Sequence, residues 1–344
     1  MFTKELIQSL PKADLHRHFD GCIRPESVLE LATEQHITLP TNDLTQLKSM
    51  IMVSNDCQSL REYLRAFDII GLILQSASNI TRTMFEVCED AFKDGITYVE
   101  FRFAPIQCII QGLTYHQVMD AVIEGIKQAE DKYPIVVRLI VCGMRQLSGE
   151  KSMEAAKLAV EYMNNYVVGF DLAGPEDGNP PTLHKEACDY CHEHGLSVTI
   201  HAGESAGYTS VDQALDCHAQ RIGHGVHSID SEETMKRLER DCIAIEACVT
   251  SNTQTKTIQS LGTYPLRTFL KHNIKVTFNT DNTVVSNCIL SSEIKTFCDL
   301  YDLTSQELHD ILLSSFDVAF IRENNMKNKI MKDADEKLKK LLKL

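Results

Sequence analysis

Residues 167–204 read "VVGFDLAGPEDGNPPTLHKEACDYCHEHGLSVTIHAGE". Two short runs, "VVGFDLA" (167–173) and "LSVTIHA" (196–202), flank "TLHKEACDYCHEHG", which has a helical pattern. Strand, helix, strand in this order calls for a parallel pair joined by a crossover helix. The same alternation continues in both directions. Strand-like runs occur at "TYVEFRF" (97–103), "IVVRLIVC" (135–142), "RIGHG" (221–225), "CIAIEAC" (242–248) and "KVTFNTD" (275–281). Helical stretches such as "HQVMDAVIEGIKQAEDKY" and "KSMEAAKLAVEYMNN" separate them. With "ADLHRH" near the start there are eight strands. Eight such units without a linker or a composition break predict an α/β fold, a (β/α)₈ TIM barrel forming one domain over residues 1–344.

One interval departs from the alternation. Between the first and second strands, residues 25–95 hold several helical patterns: "PESVLELATEQH", "SLREYLRAFDIIGLIL" and "ITRTMFEVCEDAFKDG". An insertion after a barrel strand sits on the face where barrel enzymes keep their chemistry, so a helical lid is expected there.

Bulk properties narrow the function class. Hydrophobic residues make up 43% and charged residues 24% of the 344, the balance of a soluble globular protein. A formal net charge of -14 repels phosphate backbones and anionic membranes, which argues against nucleic-acid or membrane partners. The first residues carry no apolar run of signal-peptide length, and no later stretch gives 18 uncharged apolar residues. A cytoplasmic protein is expected. The 12 cysteines are scattered through apolar segments and read as buried, reduced thiols. Cys188, Cys191, His192 and His194 mimic a zinc knuckle, but no second pair follows at a matching spacing, so they read as part of a structural helix. The Lys-rich tail "KNKIMKDADEKLKKLLKL" reads as a solvated terminal helix.

The strand ends carry the chemistry. In "ADLHRHFDG" (13–21), strand alternation puts His16 and His18 on one face. The fifth strand ends in "HAGE" with His201 and Glu204, the sixth in "GHG" with His224, and the eighth in "NTDN" with Asp281 and Asn282. In a barrel these ends meet at one face, and His16, His18, His201 and Asp281 make a zinc ligand set of nitrogen and oxygen donors. Such a site holds a water that the metal acidifies. His224 is suited to take or orient its proton, Asp281 to bond the same water, and Glu204 to protonate the group under attack. The fourth strand ends "FDLAGPE" with no lysine to bridge two metals, which favours a single ion.

These residues, "LHRHFDG", "YVEFRFAP", "GFDLAGPE", "HAGE", "RIGHG" and "NTDN" in this order, closely resemble the adenosine deaminase family of the amidohydrolase superfamily over nearly the full chain. The resemblance implies one zinc ion per chain and replacement of the 6-amino group of adenosine, and of 2′-deoxyadenosine, by oxygen, giving inosine and ammonia in purine salvage. It implies that Glu204 protonates purine N1 and that His224 handles the water with Asp281. It also implies a purine nucleoside partner held by His18, by Asp20 at the ribose 5′-hydroxyl, by the Gly174 N–H at purine N3, and by Asn282. The stripe Leu60, Tyr63, Leu64 and Phe67 resembles the helix that covers the substrate.

Three positions depart from the family pattern. Asn282 stands where a second aspartate is usual, and its amide donates to purine N7 without needing a bound proton. "CVTSN" (248–252) replaces "CPxSN", and Tyr264-Pro265 replaces His-Pro; both are expected to affect packing near the pocket. The alternative readings are a deaminase of another 6-aminopurine (adenine, aminodeoxyfutalosine or an N6-substituted nucleotide) and a non-catalytic zinc- or purine-binding homologue.

Overall fold

A parallel strand covered by helices is buried on both faces, and the strand segments Val167–Ala173, Arg221–His224 and Ala244–Ala247 are buried in that way. The computed structural model of the chain describes residues 2–54 and 57–344. Residues 55 and 56 of the expected insertion, and residue 1, lie outside the described residues. The strands are β1 (Lys12–His18), β2 (Ile96–Phe103), β3 (Val136–Met144), β4 (Val167–Ala173), β5 (Ser197–Ala202), β6 (Arg221–His224), β7 (Ala244–Ala247) and β8 (Val276–Phe278). They lie side by side in sequence order, each parallel to the next, with helices between them. This is the expected (β/α)₈ architecture.

The barrel closes between β8 and β1 by a few specific bonds rather than a long ladder. His18 N–H donates to Asp281 O at 2.7 Å and Asp281 N–H to His16 O at 2.8 Å. One rung is supplied by a side chain: Leu15 N–H donates to Asn279 Oδ1 at 2.9 Å. These bonds explain why β8 stops short of the run 275–281. Asn279 turns its amide to the seam, and Asp281 takes φ +62°, a left-handed conformation that ends an extended strand. Cys242, with φ +55°, likewise delays the start of β7.

The interval after β1 holds the expected helices. Pro25–Glu34 and Leu44–Ile51 come first, and Ala77–Lys93 leads through Gly95 into β2. The stretch expected as one helix, "SLREYLRAFDIIGLIL", is instead divided into Leu60–Tyr63, Ala66–Ile70 and a 3₁₀ turn, Gly71–Ile73. Bonds to the third residue back, Arg65 N–H to Glu62 O and Phe67 N–H to Leu64 O, tighten the junction and break the regular helix.

The cysteines are free, and all but Cys242 are buried; Cys188 and Cys191 face the core from the helix Lys185–Glu193. The Lys-rich tail forms the helix Asn324–Leu342, whose Ala334, Leu338 and Leu342 are buried against the rest of the chain. No described helix is long and apolar enough to cross a membrane.

The barrel interior is crossed by charge. Arg102 of β2 reaches Asp171 of β4 at 3.0 Å and Glu246 of β7 at 2.9 Å, and Arg221 of β6 reaches Glu246 at 2.6 Å and Glu100 of β2 at 2.5 Å. All five side chains are fully buried, and since β2 and β7 are not neighbours the pairs must span the inside. At the strand N-termini the ladder meets the chain beyond the helix Ser305–Asp317. Arg221 donates to Val318 O, Phe320 N–H donates to Glu100 Oε1, and the Arg221 guanidinium lies 3.6 Å from the Phe320 ring centre. Removing one member of a buried pair strands its partner's charge. Arg221→Met is therefore expected to lower unfolding free energy by about 3–5 kcal/mol in denaturant titration. A loss below about 1 kcal/mol would show that the ladder does not brace the barrel.

Candidate active site

Strand alternation and barrel closure together bring four ligands to one point. His16 and His18 share the inward face of β1, His201 comes from the end of β5, and Asp281 follows β8 at the seam. One donor atom from each of His16, His18, His201 and Asp281 lies within 4.8 Å of all the others. Nε2 of His18 and Nε2 of His201 stand 3.1 Å apart, and Asp281 Oδ1 stands 3.5 Å from His16 Nε2 and 3.4 Å from His18 Nε2.

The hydrogen bonds behind these rings show what the cluster is built to hold. His16 Nδ1 is 2.8 Å from Glu246 Oε2, and His201 Nδ1 is 3.1 Å from Asp171 Oδ1. A carboxylate accepts, so each ring carries its proton on Nδ1 and turns an Nε2 lone pair inward. The buried His16 Nε2 has no hydrogen-bond partner among the described residues. Lone pairs facing one another and a carboxylate oxygen call for a cation, and a three-nitrogen, one-oxygen set fits a divalent transition metal. Protonation agrees at His18 and His201, while at His16 burial is outweighed by the Asp281 and Glu246 carboxylates, which raise it. Burial pushes His18 well below its ordinary value and lowers His201 despite the nearby Asp171. Burial would raise Asp281, but the surrounding histidines hold it far below the usual carboxylate range.

His224 and Glu204 flank this centre. His224 closes β6 with φ +65°, a strained conformation for a residue other than glycine, and its Nε2 stands 3.6 Å from Glu204 Oε2. Burial, with Asp281 and Glu176 near by, holds the Glu204 carboxyl well above the usual range. Burial and the His16 ring push His224 well below its ordinary value. Both shifts favour the uncharged forms, a protonated Glu204 and a neutral His224.

The remaining expected residues converge on the same cavity, of about 220 Å³. His18, Asp20, Gly174, Glu204, His224, Asp281 and Asn282 line it, whereas His16 lies behind. The stripe Leu60, Tyr63, Leu64 and Phe67 forms a wall even though the helix is broken. Tyr63 OH, 2.6 Å from Ser286 Oγ, ties that wall to the loop after β8. Gly174 has φ +101°, which brings bare backbone to the surface. Gly21 makes room for Asn282: a Cβ there would lie 1.8 Å from Asn282 Oδ1. Desolvation lifts Asp20 to about 6. The cavity lining includes the carboxyl groups of Asp20, Asp68, Glu204 and Asp281 and, among the described residues, no lysine or arginine.

The supporting groups are not evident from the sequence. Ser251 Oγ donates to Asp281 Oδ2 at 2.5 Å, and the Asn252 amide lies 3.0 Å from His224 Nδ1. Both belong to "CVTSN", whose departure at Val249 leaves the two contacting residues intact. Glu246, Asp171 and Arg102 escape notice because their strands read as ordinary core. Charges within those apolar runs are the available signal.

The adenosine deaminase family model matches residues 11–337. The chain is 37% identical over 333 residues to an adenosine deaminase of Clostridium acetobutylicum, covering 96% of this chain and 99% of that one. It is 40% identical over 320 residues to "Probable adenosine deaminase" of Dictyostelium discoideum, covering 93% of this chain but 42% of that longer protein. Among solved structures, the N6-methyl-AMP deaminase of Arabidopsis thaliana is 28% identical with a TM-score of 0.86, covering 97% of this chain and 98% of that one. An adenine deaminase of Arthrobacter aurescens shares the fold at 22% identity and a TM-score of 0.88, covering 96% and 99%.

Metal analysis of purified protein is expected to return about one divalent ion per chain, and His16→Ala to lose it. Full metal content in His16→Ala would rule out these four residues as the ligand set.

Proposed function

This chain belongs to the adenosine deaminase family, and on that footing we propose that it is a zinc-dependent adenosine deaminase. It would convert adenosine and 2′-deoxyadenosine to inosine and 2′-deoxyinosine in purine salvage. The observation that carries the reading is the pairing of Glu204 and His224, 3.6 Å apart, beside a metal-binding cluster, in a cavity lined by carboxyl groups and, among the described residues, no lysine or arginine. Zinc held by His16, His18, His201 and Asp281 would supply the Lewis acidity that brings water toward ionisation at neutral pH.

The protein's own groups then have definite tasks. Hydrolysis joins the oxygen of water to C6 and releases the 6-amino group as ammonia, so a proton is needed at N1 while C6 is attacked. Glu204, kept protonated by burial, donates it. Asn252 Nδ2 donates to His224 Nδ1 at 3.0 Å, which places the ring proton on Nε2, where His224 orients the oxygen of the attacking water. Asp281, steadied by Ser251, orients that water. His18 packs beside the base, the Gly174 N–H meets purine N3, and the Asn282 amide donates to N7. Asp20 accepts from the ribose 5′-hydroxyl.

The cavity's charge bears on substrate choice. A 5′-phosphate would meet Asp20 and Asp68 with, among the described lining residues, no lysine or arginine to neutralise it, which favours a nucleoside over a nucleotide. Free adenine would leave Asp20 without its partner. In a panel of adenosine, 2′-deoxyadenosine, adenine, 5′-AMP, N6-methyl-AMP and aminodeoxyfutalosine, followed by ultraviolet absorbance and ammonia release, the two nucleosides are expected to be turned over fastest. Faster conversion of 5′-AMP or adenine would move the assignment to that substrate. Glu204→Gln should keep its metal and lose roughly 10²- to 10⁴-fold in kcat. Near-full activity in that variant would remove Glu204 from the reaction.

A further inference from the structure

The chain leaves β4 at Ala173, turns through Gly174 and Pro175, and buries the side chain of Glu176. That side chain is aimed at the loop after β5. Its Oε1 accepts Gly203 N–H at 2.7 Å, and its Oε2 accepts Glu204, Ser205 and Ala206 N–H at 2.9, 2.7 and 2.9 Å. Successive amides converging on one anion form a nest, and bonds to a charged acceptor are roughly twice as strong as neutral ones. Arg145, buried at the end of β3, braces the same two segments by donating Nη1 to His201 O at 2.8 Å and Nε to Asn179 O at 3.0 Å.

We propose that Glu176 is a positioning residue that sets the proton donor Glu204 at the cavity wall by gripping the backbone of residues 203–206. The inference rests on the deaminase reading for Glu204's role, and on geometry alone for the grip. Glu176 does not line the cavity, and its hydrogen bonds here are to backbone amides, so it works through the loop and not on the substrate. Glu204's own carboxyl stands 3.6 Å from His224 Nε2, too far for a firm hydrogen bond, and has Thr255 as a side-chain partner, so the grip on the main chain acts together with Thr255 to set its aim. Glutamine at position 176 would keep the volume but present an NH₂ to amides that are themselves donors.

The test compares Glu176→Gln, Glu204→Gln and the double variant, each metal-loaded and checked for metal content. Glu176→Gln is expected to keep its metal, lose about 10- to 100-fold in kcat with KM within about twofold, and exchange the amide hydrogens of 203–206 at least about tenfold faster. The double variant should be no slower than Glu204→Gln, since a residue acting only through Glu204 has nothing further to lose. A kcat within about twofold of the parent, unchanged exchange at 203–206, or a double variant slower by the full Glu176→Gln factor would each overturn the proposal. Should Glu176→Gln not fold, Glu176→Asp keeps the charge at shorter reach and is expected to show the same kcat and exchange pattern in smaller measure. A parent protein that leaves adenosine unchanged would sink the deaminase reading, while the exchange comparison would still decide the grip.

Discussion

Four donors from four strands meet on the carboxylate of Glu246. His16 Nδ1 comes from β1, Arg102 Nη2 from β2, Thr199 Oγ1 from β5 and Arg221 Nε from β6. A buried carboxylate is tolerated only when its lone pairs are satisfied, and here each bond that satisfies it also fixes a strand. The same group that holds the barrel's polar interior together sets the tautomer of His16. Structure and chemistry therefore share one anion. Burial keeps neither role separate from the other, because any shift in the ladder turns the imidazole that belongs to the ligand cluster.

Most of the fold is legible in the sequence because parallel strands announce themselves as apolar runs between amphipathic helices. The ends of strands are less so. β8 stops at Phe278 because Asn279 uses its side chain for the seam and Asp281 adopts a left-handed backbone, choices that only the closing of the barrel imposes. The broken stripe at 60–73 reads as one helix because its apolar spacing is helical. What the spacing encodes is a shared face, and that face does line the cavity.

Within the site, the residues with unusual chemistry at strand ends stand out in the sequence alone, and they do converge. Their supports do not stand out. Ser251, Asn252, Asp171 and Glu246 have common side chains whose importance lies wholly in a partner far away in sequence. Asn282 shows the middle case: its departure from the family pattern is visible in the sequence, but the bare Gly21 that makes space for it becomes meaningful only when β1 and β8 lie side by side.

The seam and the ladder also constrain how the chain reaches this state. Leu15 bonds to a side chain 264 positions later, and Glu100 gains its partner at Phe320 from 220 positions away. Until those late residues have left the ribosome, Glu100 lacks one of its buried hydrogen bonds and β1 has one edge with no neighbour. Contacts of such separation carry a large loop-closure cost before they return any stability. The barrel thus becomes cooperative only once residues 279 and 320 have been made, and the strands that precede them must be kept from pairing their open edge with another chain in the meantime.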